Sequence, residues 1–149
     1  TDGTVMWDEL ATNNVDCTYH HHLAYLGHKN ALISELTAKE NLEYSLDRHR
    51  SVMSTNRVLE AFDLNKYLDQ YAEKLSNGQK RKIALSRILL SDKTLWIMDE
   101  PLANIDTTGT QFLQSEMKAH LERGGMLITT TNFNNQTLKS NLEINLDNP

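Results

Sequence analysis

The sequence predicts an α/β domain built on a mainly parallel sheet, with a helical subdomain inserted into it. Three features support this fold class. From Ser76 onward the apolar pattern alternates between helix and strand, as it does when helices connect parallel strands. Residues 94–98 are almost continuously apolar, which is typical of a strand covered on both faces. Residues 36–71, in contrast, contain no convincing strand.

The individual elements follow from local patterns. Residues 23–26, 94–98 and 126–131 are rich in β-branched or aromatic residues and lie between polar clusters, so each is predicted to be a strand. Apolar residues at helical spacing predict helices over residues 38–45, 55–62, 66–71, 78–90 and 108–122. Gly124 and Gly125 separate the last helix from the strand that follows.

Length and charge limit the possible organisation and partners. Residues 1–149 are predicted to form one domain, in which about 36–76 are the helical subdomain and 77–149 carry the second half of the core. The formal net charge of -5 argues against nucleic acid as a partner, because phosphate backbones require a basic surface. The apolar runs are too short to cross a bilayer.

The loop before the helix at 78–90 has features of a phosphate-binding site. Ser76, Asn77, Gly78 and Gln79 form a polar segment that opens directly into this helix. The free N–H groups and the positive end of the helix dipole can hold a phosphate, the Ser76 hydroxyl adds a donor, and Gly78 allows close approach. Taken alone, the loop is more simply interpreted as an ordinary serine cap.

An acidic pair ends the apolar strand that follows this helix. Asp99 and Glu100 come directly after residues 94–98, so we expect them at the carboxyl edge of a parallel sheet, where open α/β folds bind ligands. Asp99 is suited to hold Mg²⁺ through water, and Glu100 is suited to polarise an attacking water as a general base. Because acidic residues often simply end strands, the pair is informative only together with the Ser76 loop.

In this order, the motifs resemble the signature loop, the Walker B strand and the D-loop of ABC-type ATPases, at residues 75–79, 95–101 and 102–106. Within that superfamily the chain is most similar to the ATP-binding subunits of cytochrome c maturation haem exporters, the CcmA family. Three stretches carry this finer resemblance: residues 26–28 leading to the sequence ELTAKENL at 35–42, Trp96 within the Walker B strand, and GGMLITTT at 124–131.

The resemblance implies a partial ABC nucleotide-binding domain of the P-loop NTPase class, with ATP and Mg²⁺ as cofactors. A second ABC domain is implied as the partner in a homodimer that sandwiches the nucleotide. The loop from Ser76 to Gln79 would then contact the γ-phosphate bound on the facing subunit. Asp99 and Glu100 would act on the nucleotide bound in cis, and Asp106 would couple the two sites across the interface.

The resemblance also implies partners and a location. The helical region would receive the coupling helix of a membrane subunit of the cytochrome c maturation complex, so that closure moves that subunit. In the family the cycle releases haem-loaded chaperone for cytochrome c assembly. The expected location is the cytoplasmic face of the bacterial inner membrane, where the subunit is peripheral, with the matrix face of the mitochondrial inner membrane as the alternative.

Three positions depart from the family's pattern. The Walker A loop, Gly-x-x-Gly-x-Gly-Lys-Ser/Thr, should lie upstream of Asp2, and no such run occurs in the 149 residues, so tight binding of ATP by this chain alone is not expected. Lys29 occupies the Q-loop glutamine position, where a cation cannot ligate Mg²⁺ but can contact phosphate. Asn132 occupies the switch-histidine position, and its amide can bind a γ-phosphate but cannot shuttle a proton near neutral pH.

Three interpretations of these departures stay open. The chain is a fragment of an ordinary subunit, a split subunit whose Walker A lies on a separate chain, or a degenerate, non-catalytic scaffold of a membrane complex. A fragment or a split subunit is favoured, because Glu100 is retained.

Two other clusters receive ordinary interpretations. The histidines at 20–22 are adjacent on a predicted loop and would point in different directions, whereas metal ligands have to converge, so a solvated loop is expected there. The basic residues at 80–82 are interpreted as a solvated face of the helix.

Overall fold

The computed structural model describes residues 3–13, 18–45, 53–130 and 142. A short antiparallel pair, β1 (Met6–Trp7) and β2 (Leu10–Ala11), comes first in the chain. The central sheet is parallel and contains β3 (Leu23–Leu26), β4 (Leu95–Met98) and β5 (Met126–Thr129), with β4 between the other two. The three predicted strands and the parallel sheet are therefore confirmed, although the last strand ends at Thr129.

The register of the sheet places the carboxyl ends of its strands at one edge. Leu26 lies opposite Met98, and Met98 lies opposite Thr129. The middle strand is largely buried, as its continuous apolar sequence predicts. The outer strand β5 is more open, because Met126 and Ile128 are 44% and 57% exposed. The residues that directly follow β3, β4 and β5 are therefore neighbours at this edge.

In the described part of the chain five α-helices accompany the sheet, and four of them were predicted. They are α1 (Tyr19–His22), α2 (Ala38–Ser45), α3 (Thr55–Ala61), α4 (Asn77–Leu89) and α5 (Thr107–Glu122). The four predicted helices differ from the sequence-based bounds by at most one residue at either end. Among the described residues, none of the helices combines the length and the apolar character that crossing a bilayer requires.

Two predictions of local structure are wrong. The histidines at 20–22 belong to the single-turn helix α1, where a loop was expected. Over residues 66–71 a regular helix was expected, but only a 3₁₀ turn at Asn65–Tyr67 forms, with a second at Ala72–Lys74. The reason is tertiary, because the carbonyls of Leu68 and Gln70 accept hydrogen bonds from the first N–H groups of α2. Because those carbonyls accept hydrogen bonds from another segment, a regular helix does not continue through residues 66–71.

Helix α4 lies at the centre of the packed core. Its residues Ile83, Leu85 and Leu89 are at most 2% exposed, and they share one apolar cluster with β3, β4 and α5. Further residues of α4 are buried on other sides of the helix, so most of its circumference is covered. The helix therefore fixes the loop at its first turn relative to the sheet.

Candidate functional site

The loop at residues 75–79, which we call the signature loop, begins α4 with a capping box. Ser76 Oγ accepts a hydrogen bond from the Gln79 N–H at 3.2 Å, and Gln79 Oε1 accepts one from the Ser76 N–H at 2.7 Å. The serine cap that the sequence allowed is therefore present. The N–H groups of Asn77 and Gly78 belong to the same first turn, where no preceding helical carbonyl is placed to accept from them.

Gly78 permits a close backbone contact. A Cβ at this position would lie 2.8 Å from the carbonyl oxygen of Asn104. Asn104 is itself in the left-handed region, with a φ of 61°. The backbone of the loop at residues 102–106, which we call the D-loop, therefore approaches Gly78 closely, and the phosphate contact expected at Gly78 stays a prediction.

Asp106 ends the D-loop and caps the next helix. Its Oδ1 accepts a hydrogen bond from the Gly109 N–H at 2.7 Å, and its Oδ2 pairs with Lys82 Nζ of α4. The hydrogen bond from Lys82, followed by the one from Gly109, holds the pKa of Asp106 below its ordinary value. Asp106 is therefore ionised near neutral pH, and it ties α5 to α4.

A cleft of about 350 Å³ opens where the signature loop meets the D-loop. It contains three of the four residues of the loop from Ser76 to Gln79 together with Asp106, so the structure brings these predicted site residues into one place. The residues that line it are Phe62, Asp63, Tyr67, Ser76, Gly78, Gln79, Lys82, Asn104 and Asp106.

The acidic pair lies at the carboxyl edge of the sheet. The Asp99 N–H donates to Leu26 O at 2.7 Å, which extends the pairing of β3 with β4 by one residue. The Glu100 N–H donates to the hydroxyl of Thr130 at 3.0 Å, and that hydroxyl donates in turn to Asp99 Oδ1 at 2.5 Å. Thr130 directly follows β5, so all three strands contribute to the surroundings of the pair.

A buried arginine connects α4 to this edge. Arg81 is 5% exposed, although the sequence analysis placed it on a solvated helix face, and that interpretation is wrong. Its guanidinium donates to four acceptors that follow β3 and β4: Gly27 O, Asn30 Oδ1, Asp99 O and Glu100 O. Burial lowers the pKa of Arg81, and the negative charges of Asp99 and Glu100 oppose that shift.

Sequence reasoning treated residues 80–82 as one cluster and missed this role. A signal was available in the spacing. Arg81 precedes Leu85 by four residues and Ile88 by seven, so it continues the apolar stripe of α4 toward the sheet. A charged residue on such a stripe needs buried partners, which the carbonyls at the ends of β3 and β4 supply.

Of the two remaining predicted site residues, only Lys29 belongs to the described part of the chain. Lys29 is exposed in the loop after β3, and it lines a separate cleft of about 240 Å³ between that strand and α4. The neighbouring Asn30, rather than Lys29, contacts Arg81. Asn132, at the switch position, lies outside the described residues.

His22 of α1 packs against an aromatic ring of the first strand. The Trp7 ring stacks on His22 with centroids 5.4 Å apart, and its edge meets Tyr19 at 5.8 Å. Within residues 3–13, 18–45, 53–130 and 142, no group of three or more histidine, cysteine, aspartate or glutamate side chains is arranged to hold a metal ion.

A second histidine contact, which sequence reasoning did not anticipate, lies at the amino end of the sheet. His120 of α5 is 6% exposed and stacks on Trp96 with centroids 3.8 Å apart. Its Nε2 lies 3.1 Å from Thr94 O and 3.3 Å from Met126 O. Because both partners only accept, Nε2 carries a proton. Burial lowers the pKa of His120, and the two hydrogen bonds partly offset that shift.

Comparison with known proteins identifies the family. The sequence model described as ABC transporter matches residues 1–103 of the chain, which is more than half of its length. The chain belongs to the ABC transporter family. The α/β fold class and the resemblance inferred from the signature loop and the acidic pair are thereby confirmed.

Individual proteins agree with this assignment. The cytochrome c biogenesis ATP-binding export protein CcmA of Vibrio cholerae is 37% identical over 132 residues, which are 87% of this chain and 64% of that protein. The chain thus spans slightly less than two thirds of the length of this relative.

Solved structures share the fold. The ATP-binding subunit of an ABC transporter superimposes with a TM-score of 0.72 at 25% identity, over 88% of this chain and 57% of that one. A dimeric ATP-binding cassette in a post-hydrolysis state, bound to ADP and Pi, superimposes with a TM-score of 0.70 at 23% identity, over 89% and 64% of the two chains.

Proposed function

We propose that this chain supplies the signature-loop and water-activating parts of an ATP-hydrolysing subunit in an ABC-type haem export complex for cytochrome c biogenesis. The observation that supports this proposal is that α4 serves both parts. Its first turn carries the signature loop, and Arg81 in its second turn holds the backbone of Asp99 and Glu100. A movement of the loop would therefore move Arg81 and, through it, the backbone of the acidic pair.

Glu100 is proposed to polarise the water that attacks the γ-phosphate of ATP, and Asp99 is proposed to hold Mg²⁺ through water. The donor set fits this ion, because Mg²⁺ prefers oxygen ligands, keeps several of its waters and needs only one or two carboxylates beside substrate phosphates. Asp99 Oδ1 accepts from Thr130, and an ionised carboxylate has further lone pairs for water ligands. When bound, Mg²⁺ neutralises charge that develops on the β- and γ-phosphates.

The signature loop is proposed to bind the γ-phosphate held by a facing subunit of a homodimer. The N–H groups of Asn77 and Gly78 and the hydroxyl of Ser76 are donors at the positive end of α4. Gln79 fixes the loop through the capping box, and Asp106 would couple the two sites from the far side of the same cleft. Two copies arranged in this way would each complete the other's site, and a solved ATP-binding cassette of similar fold is dimeric.

Two further positions are proposed to approach the nucleotide. Lys29, which is exposed after β3, would contact phosphate from the Q-loop position, and Asn132 would hydrogen-bond the γ-phosphate from the switch position. A complete site also needs a Walker A segment, which the 149 residues do not contain. That segment would come from the same polypeptide or from a separate chain.

The partners and location are proposed from the relatives. The V. cholerae protein is named an export protein of cytochrome c biogenesis, and an export complex needs a membrane subunit. Residues 36–76, proposed as the helical subdomain, present exposed rings at Tyr44 and Tyr71 that are suited to such a partner. The chain would then act peripherally at the cytoplasmic face of a bacterial inner membrane, or at the matrix face of the mitochondrial one, and nucleic acid is not a proposed partner.

The test is ATP hydrolysis by the complex assembled from this chain, a Walker A segment and the membrane subunits. Glu100→Gln should lower kcat by about 100-fold or more, because the amide cannot act as a general base. Glu60→Gln, a matched change at an exposed glutamate of α3, should leave the rate unchanged. Equal rates in the wild type and Glu100→Gln would contradict the catalytic assignment, and they would favour the non-catalytic scaffold that the sequence left open.

A further inference from the structure

The turn that carries the acidic pair has an unusual backbone conformation. Glu100 has a φ of 43°, in the left-handed region that residues with a side chain rarely occupy. A non-glycine residue stays in such a conformation only when the surrounding structure determines it, because the conformation is strained. The contacts that hold Glu100 there are therefore a requirement of the fold.

Those contacts come from separate elements. The Glu100 N–H donates to the hydroxyl of Thr130, and the Glu100 carbonyl accepts from Arg81 at 2.8 Å and from the Ala103 N–H at 3.1 Å. The Asp99 carbonyl accepts from Arg81 as well. Both carbonyls of the pair thus face one buried guanidinium, and the peptide N–H between the two residues faces one hydroxyl.

We propose that Arg81 and Thr130 are the positioning residues of the acidic pair. Together they fix the peptide that joins Asp99 to Glu100 and hold the Glu100 backbone in its left-handed conformation. Arg81 also links that turn to Gly27, directly after β3, whose carbonyl accepts from Arg81 at 3.0 Å. The role in hydrolysis rests on the proposed function, whereas the role in holding the turn does not.

The chemistry of each residue is specific to this task. The Thr130 hydroxyl has one proton, which goes to the Asp99 carboxylate, so its lone pairs receive the Glu100 N–H. Valine has the shape of threonine and can do neither. Arginine presents several N–H donors in a planar fork that reaches carbonyls of two strands at once, whereas the ammonium of lysine is a single point of donation.

The sharpest test compares Thr130→Val with Thr130→Ser in the assembled complex. Thr130 is exposed, so both variants should fold. Thr130→Val should lower kcat for ATP hydrolysis about 10- to 100-fold, because small displacements of a catalytic group have effects of that size. KM for ATP should change less than about twofold, because a positioning loss acts on the transition state. Thr130→Ser keeps the hydroxyl and should restore most of the rate.

Matched controls lie beside each residue. The Thr129 hydroxyl donates only to the carbonyl of Thr130, at 3.2 Å, so Thr129→Val should keep the wild-type rate. On α4, Arg87 donates to Ala31 O at 2.7 Å and does not contact the acidic pair. Arg81→Lys should therefore lower kcat, and Arg87→Lys should not.

A second readout is independent of hydrolysis. Hydrogen exchange at the Glu100 amide, measured by NMR on the full chain, should be at least about tenfold faster in Thr130→Val than in the wild type, because the N–H loses its acceptor. Thr130→Ser should retain the protection. Unchanged exchange and kcat in Thr130→Val would overturn the proposal. A wild-type complex without Glu100-dependent hydrolysis would contradict the proposed function instead, and the exchange measurement would still decide whether Thr130 holds the turn.

Discussion

The two ends of the three-stranded sheet are held by helices in a similar way, but with different side chains. At the carboxyl end, Arg81 of α4 donates to carbonyls that follow β3 and β4. At the amino end, His120 of α5 reaches the carbonyls of Thr94 and Met126, at the start of β4 and β5. Each side chain is buried, and each connects two strands.

The chemical difference between these side chains matches the difference between the ends. Arginine keeps its charge throughout the physiological pH range. The end that carries the acidic pair therefore has a permanent cation bonded to its backbone carbonyls. Histidine can do the same task in its neutral form, and the amino end carries no proposed catalytic group. Among the described residues, the one buried guanidinium that contacts the sheet therefore lies beside the acidic pair, where ATP hydrolysis is proposed.

The largest expected effect comes from removing that guanidinium. Arg81→Met keeps a long apolar side chain but leaves the carbonyls of Gly27 and Asp99 without their donor, and it leaves the Glu100 carbonyl with the Ala103 N–H alone. We expect the free energy of unfolding to fall by about 3 kcal/mol, since hydrogen bonds from a charged donor to buried acceptors are strong. Arg87→Met, with its single contact to Ala31, should cost about 1 kcal/mol or less. Urea denaturation measures both, and equal losses would show that the hydrogen bonds of Arg81 contribute no more to stability than the single contact of Arg87.

The next largest effect concerns the close contact between the first turn of α4 and the D-loop. In Gly78→Ala the new Cβ would overlap Asn104 O, which is a backbone atom and cannot simply rotate away. We expect this overpacking to lower the free energy of unfolding by about 2 kcal/mol and to displace the D-loop. Asn77→Ala changes the adjacent exposed residue and serves as the control. A Gly78→Ala variant as stable as the wild type would contradict the close contact.

A smaller effect separates two serine caps. Ser76 accepts a hydrogen bond from the first turn of α4, whereas the side chain of Ser54, at the start of α3, makes no capping hydrogen bond. Ser76→Ala should therefore lower the free energy of unfolding by about 1 kcal/mol, and Ser54→Ala should lower it by only a few tenths of that amount. The difference in urea midpoint between the variants checks this, and an equal cost would mean that the capping box adds nothing to stability.

Much of this arrangement could be predicted because it depends on nearby residues. Residues Leu95–Met98 form a strand because they are apolar on both faces, and Asp99 and Glu100 then have to lie at its carboxyl end. The Ser76 cap is likewise encoded within four residues. What sequence reasoning missed depends on distant partners. Residues 66–71 lose their helix to contacts with α2, and the burial of Arg81 and His120 depends on carbonyls far away in the chain.

The smallest expected effect appears only in acid and distinguishes the two ends of the sheet. Because burial lowers the pKa of His120 from 6.5, the unfolded chain takes up a proton at a higher pH than the folded chain does. The stability that neutral His120 contributes is therefore fully present above about pH 6.5, the pKa of an unperturbed histidine, and is lost as the pH falls through the folded pKa. His120→Phe keeps a ring against Trp96 but cannot titrate. Urea denaturation between pH 7.5 and 5 should show a shallower loss of the free energy of unfolding in His120→Phe than in the wild type, and identical slopes would contradict a lowered pKa of His120 in the folded chain.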